Sequence, residues 1–266
     1  MSRIDEALRR VMADGTAEPE KAGSVIEEYP NEHRPNERRQ VVDGNTLLLG
    51  TAAEHDAAPL SAATLGVELP AGLMRHYQRV AGVMHDVRAR NPLKTVAIAS
   101  AASGEGKTTT LLGLALALTR ANSSRVLLVD ANLHQPRLHD AVHIQQGPGV
   151  IDVISGERHK ALPVVLHPSL HVLLAGRAST NPAADLGSEK LRALLQRCAA
   201  HYDWVLVDTP AAAQLQEEAD VLGRLTDGVV FVIGATTPFA VAERAMAKIG
   251  ADRILATVLD GLADPL

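Results

Sequence analysis

Six apolar runs recur along the chain, at residues 95–99, 125–129, 170–174, 204–207, 228–233 and 254–259, with segments of helical spacing between them. Each run is nearly continuous in Val, Leu, Ile or Ala rather than alternating with polar residues, which implies strands buried on both faces. Such strands separated by helices predict an α/β fold, a doubly wound, mostly parallel sheet with helices on either side. Ahead of the first run, Leu73, Tyr77, Val80, Met84 and Val87 keep helical spacing after Pro70, and Asn91-Pro92 stops the helix. No internal repeat is found.

The N-terminal quarter follows neither pattern. Residues 1–15 predict a short amphipathic docking helix: Ser2 and Asp5 have capping-box spacing, Ile4, Leu8, Val11 and Met12 share a face, and Gly15 follows. Residues 16–69 are rich in Glu, Pro, Ala and Arg, with apolar material only at 41–49 and 65–69, and predict a flexible, largely disordered linker. The packed domain is expected over residues 70–266.

Composition narrows the function classes. Among 266 residues, 46% are hydrophobic and 21% charged, enough for one full core plus an appendage. Aromatics make up 2%, leaving little for stacking on single-stranded nucleic acid, and a net charge of -5 disfavours nonspecific DNA binding, so no nucleic-acid partner is expected. The single cysteine, Cys198, cannot close an intramolecular disulfide and suits a reducing cytoplasm. No run approaches the ~20 apolar residues that cross a bilayer, so direct membrane insertion is not expected and membrane association would come through a partner.

Residues 103–109 read Ser-Gly-Glu-Gly-Lys-Thr-Thr between the first strand and a Leu/Ala-rich helix. Strand, glycine turn and helix in that order form a phosphate cradle, since Gly104 and Gly106 let successive N–H groups converge on an anion at the helix start. The expected nucleotide contacts are Ser103, Gly104, Glu105, Gly106, Lys107, Thr108 and Thr109, with Lys107 on the β and γ phosphates and the Thr108 hydroxyl on magnesium. One position departs from the full pattern: Ala101 stands where it has glycine. Two later strands end in aspartate, Val126–Asp130 and Val205–Asp208. Ligands of open parallel sheets bind beyond the strands' carboxyl ends, so Asp130 and Asp208 should share a crevice with the loop. Either aspartate alone could equally be a cap or turn residue; together, with Thr108, they suit magnesium.

Three segments, Ser100–Thr109, Val129–His139 and Val207–Pro210, resemble the bacterial tyrosine kinases of capsule and exopolysaccharide assembly, within the MinD- and ParA-like P-loop ATPases. The similarity runs over residues 70–262, with the free-standing cytoplasmic members nearest in their termini. It implies a P-loop NTPase using ATP and Mg2+, with Lys107, Asp130 and Asp208 as catalytic residues and Thr108, Asp130 and Asp208 at the metal. It also implies that Asp130 helps activate the attacking tyrosine hydroxyl and that Asp260 stands where an asparagine commonly lies near the base. The implied partner is a membrane polysaccharide chain-length regulator or co-polymerase, with homo-oligomerisation open and a cytoplasmic location at the inner membrane through that partner.

Several residues depart from that family's pattern. Asn132 and His134 replace an aspartate and an arginine, removing an anion and a permanent cation near the metal. No tyrosine cluster closes the chain, whose tyrosines are Tyr29, Tyr77 and Tyr202; the last two are expected to be packing residues. Arg75 and Gln78 do not match the oligomer motif, and Ala102 replaces the second lysine of the partitioning ATPases. His139 and His143 are spaced for one helix face, but surface histidines are expected there rather than a zinc site. Three functions stay open: a tyrosine autokinase, a weakly catalytic nucleotide switch of the same pathway, and a positioning ATPase.

Overall fold

The computed structural model describes residues 65, 69, 71–122, 124–157, 163–215 and 220–260. The expected N-terminal helix, Tyr29 and, apart from Leu65 and Leu69, the expected linker lie outside the described residues. In chain order the elements are α1 (Ala71–Arg90), β1 (Thr95–Ser100), α2 (Lys107–Asn122), β2 (Val126–Asp130), α3 (Leu138–Ala141), α4 (Val150–Ile154), β3 (Val164–His167), β4 (Leu170–Leu173), α5 (Pro182–Leu186), α6 (Glu189–His201), β5 (Trp204–Asp208), α7 (Ala212–Leu215), α8 (Asp220–Leu225), β6 (Gly228–Gly234), α9 (Phe239–Ile249) and β7 (Ile254–Asp260).

The seven strands form one sheet in the order β3-β4-β2-β5-β1-β6-β7. All neighbours pair in parallel except β3, which runs antiparallel to β4. The six apolar runs are thus the six parallel strands. The seventh strand, β3, was not expected: it is a four-residue edge strand between Pro163 and Pro168, with Val164 and Val165 exposed, and offers no buried run to read.

Side chains alternate across the sheet and feed two cores. Val96, Ile98, Leu128, Leu206, Val230 and Val232 pack with α1 and α2, while Ala97, Ala99, Val129, Val207, Val229 and Phe231 pack with α6, α8 and α9. On the first face Tyr77 of α1 lies where α2 has Gly113, and a Cβ there would stand 2.1 Å from the Tyr77 ring. Trp204, fully buried, carries the Arg88 guanidinium 4.9 Å above its ring. On the second face α6 starts at Ser188, whose hydroxyl accepts from the Leu191 N–H at 3.1 Å, and buries Leu191, Leu194, Leu195 and Cys198. Leu65, from the stretch expected to be linker, is buried in the same core as Tyr77, so packing begins before residue 70. Tyr77 and Tyr202 are packing residues as expected, 1% and 6% exposed.

Candidate functional site

The loop from Ala101 to Gly106 joins β1 to α2 with Gly104 at φ 83° and Gly106 at φ 80°, the left-handed region that a Cβ disfavours. Gly106 is required twice over, because a Cβ there would stand 1.9 Å from Oδ2 of Asp260. The Asp260 carboxylate, at the end of β7, therefore lies against the phosphate-type loop itself. The Glu105 side chain turns inward: its Oε2 accepts the Ala102 N–H at 2.7 Å and its Oε1 the Thr237 hydroxyl. Of the expected nucleotide contacts, Glu105 thus braces the loop with its carboxylate, leaving only its backbone for a ligand.

Lys107 opens α2 and is buried, its ammonium donating to Ser100 Oγ at 2.8 Å. Burial lowers its pKa, opposed by the charges of Asp208 and Glu105. Thr108 Oγ1 donates to Asp208 Oδ2 at 2.9 Å. The other carboxylate oxygen, Asp208 Oδ1, is buried without a well-formed hydrogen bond, the neighbouring Thr209 N–H giving the carboxylate only weak support. Burial raises the Asp208 carboxyl to about 6, opposed by the Thr108 hydroxyl and Lys107. A buried oxygen left without a good donor costs free energy unless a cation or water completes it. Thr108 Oγ1 and Asp208 Oδ1 are hard oxygen donors and could hold magnesium, directly or through water.

Asp130 stands beside Asp208, the two being register partners at the ends of β2 and β5. Its chemistry differs. Oδ1 accepts the Asn132 N–H and Oδ2 the Leu138 N–H, both at 3.1 Å, so the carboxylate folds the 131–138 loop over the strand end. Burial, then the Asp208 charge, pushes the Asp130 carboxyl up to about 7. Asn132 turns its Oδ1 to the Gln135 N–H at 3.4 Å, and His134 is exposed. The shared helix face imagined for His139 and His143 does not form: α3 ends at Ala141 and His143 leaves it at φ 53°. Arg75 and Gln78 are exposed on α1.

Ser100 and Thr237 escaped the sequence reading. Ser100, as the last residue of β1, carried a weak signal; Thr237 is 132 residues from the glutamate it holds and carried none.

The family model described as cellulose biosynthesis protein BcsQ matches residues 93–256, more than half of the chain and all of the site except Asp260. The chain belongs to the BcsQ family. Its similarity to bacterial tyrosine kinases also holds: it is 34% identical over 145 residues to tyrosine-protein kinase YwqD of Bacillus subtilis, covering 54% of this chain and 60% of that one. It is 30% identical over 145 residues to the succinoglycan biosynthesis transport protein ExoP of Rhizobium meliloti, covering 53% and 18%. The chain thus spans less than two thirds of either relative. The kinase domain of Escherichia coli tyrosine kinase ETK shares the fold, with a TM-score of 0.67 at 22% identity over 80% of this chain and 86% of that one. Among the described residues no helix is long and apolar enough to cross a membrane.

Proposed function

We propose that this chain is an MgATP-binding protein of the tyrosine-autokinase type that regulates exopolysaccharide or capsule polymerisation or export through a membrane chain-length regulator. One observation carries the reading: Lys107, Thr108 and Asp208 converge at the start of α2, with Asp208 Oδ1 buried and without a well-formed hydrogen bond. Magnesium, when bound, would supply positive charge that offsets the charge of the phosphates. Lys107 would hold the phosphates, the N–H groups after Gly104 would orient them, and Asp208 with Thr108 would fix the metal's position. Asp130, its carboxyl raised by burial and the Asp208 charge and tied to its loop by the Asn132 and Leu138 N–H groups, would set the crevice wall and, in its ionised form, could take a proton from an incoming hydroxyl on a remaining lone pair.

The test is incubation of the purified chain with radiolabelled ATP and Mg2+, with and without a membrane polysaccharide chain-length regulator, against Lys107→Ala. Label on tyrosine that Lys107→Ala abolishes is the expected result. No phosphotyrosine under either condition would sink the kinase activity.

A second reading, a nucleotide switch with little or no transfer, draws on a specific feature: both Asp130 oxygens are engaged by backbone donors, and Tyr77 and Tyr202 are buried. In that reading ATP and ADP forms differ in affinity for the partner, because a ligand shifts only an equilibrium between states it binds unequally. Equal partner affinity for the apo, ADP and ATP forms would rule it out. A positioning ATPase, the least favoured reading, requires nucleotide-dependent dimers, which light scattering with a nonhydrolysable nucleotide would detect.

A further inference from the structure

A cavity of about 520 Å³ opens at the end of the sheet opposite the loop, where β1 and β6 begin. Its volume lies within the range of small-molecule sites, roughly 300–1,000 Å³. β1 has six residues, so the cavity lies about 20 Å from the phosphate-type loop at about 3.3 Å per residue. It belongs to no part of the site described above.

Its walls are cationic in a chain whose net charge is -5. Arg88, Lys94, Arg192, Arg224 and Arg253 line it, against one lining carboxylate, Asp227. That carboxylate is already engaged, its Oδ2 accepting the Lys94 and Thr95 N–H groups at 3.1 and 2.9 Å and the Thr95 hydroxyl at 2.8 Å. Lys94 and Arg88 donate to the carbonyls of Ala199 and Asp203, each at 2.8 Å, neutral acceptors that leave their charge in place. Arg192 pairs with Glu189 and Arg224 with Asp220, but those carboxylates are 81% and 48% exposed, and exposed pairs exchange at little cost. Arg253 reaches Asp252 only at 3.8 Å. One donor is unsatisfied: Arg192 Nε is buried without a hydrogen-bond partner. The floor is apolar, formed by Leu93, Leu195 and Leu225.

We infer that this cavity is a second ligand site, for a phosphorylated small molecule of mononucleotide size. The phosphate would lie among the arginines, where guanidinium forks suit phosphate oxygens. The organic part would cover the leucine floor. An anion here adds a favourable charge interaction that a bare, repelling cationic wall lacks.

The experiment is calorimetric titration of the full chain, with its P-loop saturated by MgADP, using cytidine monophosphate and inorganic phosphate as probes. Cytidine monophosphate is expected to bind more tightly than inorganic phosphate, and equally to wild type and Lys107→Ala. The Arg192→Gln/Arg224→Gln variant, altered only at partly exposed side chains, is expected to weaken binding at least tenfold. Gln196→Trp, which narrows the mouth with every charge in place, is expected to exclude the nucleotide while sparing inorganic phosphate. Unchanged affinity in the arginine variant, equal affinity for the two probes, or loss of binding with Lys107→Ala overturns the inference.

Discussion

Gly113→Ala tests the packing of α1 on the helix that carries Lys107. In a solvent-facing helix, alanine for glycine stabilises by about 1 kcal/mol. Here the new Cβ would stand 2.1, 2.2 and 2.8 Å from Cε2, Cδ2 and Cζ of Tyr77. Carbon atoms rest about 3.5–4.0 Å apart, so ring and helix must separate by about 1.5 Å. Tyr77 is 1% exposed and has nowhere to retreat. Overpacking of this kind costs about 1–3 kcal/mol, which set against the propensity gain of about 1 kcal/mol leaves a net loss of up to about 2 kcal/mol. The thermal midpoint should fall by up to about 8 °C for a domain of this size. Circular dichroism during heating and urea titration reads both quantities. In a Tyr77→Ala background the obstacle is gone, and the same substitution should stabilise by up to about 1 kcal/mol. A Gly113→Ala protein more stable than wild type, or an identical effect in both backgrounds, would refute the reasoning.

Asp208→Asn should weaken ATP binding at least tenfold in Mg2+, about 1.4 kcal/mol, and far less in EDTA, as calorimetry in the two buffers would report. Glu105→Ala leaves the Ala102 N–H and the Thr237 hydroxyl without their carboxylate; ATP affinity should fall several-fold while Glu105→Gln retains most of it. Asp130 holds its proton to about pH 7 when folded but releases it near 3.8 when unfolded, so folding takes up a proton between those values. The stability this group contributes is complete below pH 4 and lost as pH rises to 7, by about 4 kcal/mol at most. Melting of the nucleotide-free protein between pH 5 and 8 checks the sign: a midpoint that rises with pH in Asp130-containing protein, or falls equally in Asp130→Asn, contradicts it.

The parallel strands and the loop were legible because their signals are local. A buried strand needs a continuous apolar run, and a phosphate cradle needs its glycines, lysine and threonine within a few residues. Asp130 and Asp208 were legible as a pair because each ends such a run, and the sheet then brings the ends together. What they do there was not legible. Whether a strand-end carboxylate faces a ligand or its own loop depends on which backbone N–H groups return to it, and the one from Leu138 comes eight residues later. Asp260 was read through its family position as a base contact; its closeness to Gly106 depends on β7 pairing beside β6, which no local pattern encodes. The basic cavity was invisible for the same reason, since its cations come from four separate segments of the chain.

Cys198 makes the chain its own gauge of opening. It is the single cysteine of the sequence, fully buried on α6, and burial pushes its thiol up to about 12. At pH 8 only on the order of one molecule in ten thousand then carries the reactive thiolate while folded. Alkylation therefore reports how much of the time α6 is away from the sheet, with no engineered probe. A bound nucleotide that tightens the domain would register directly as a slower clock.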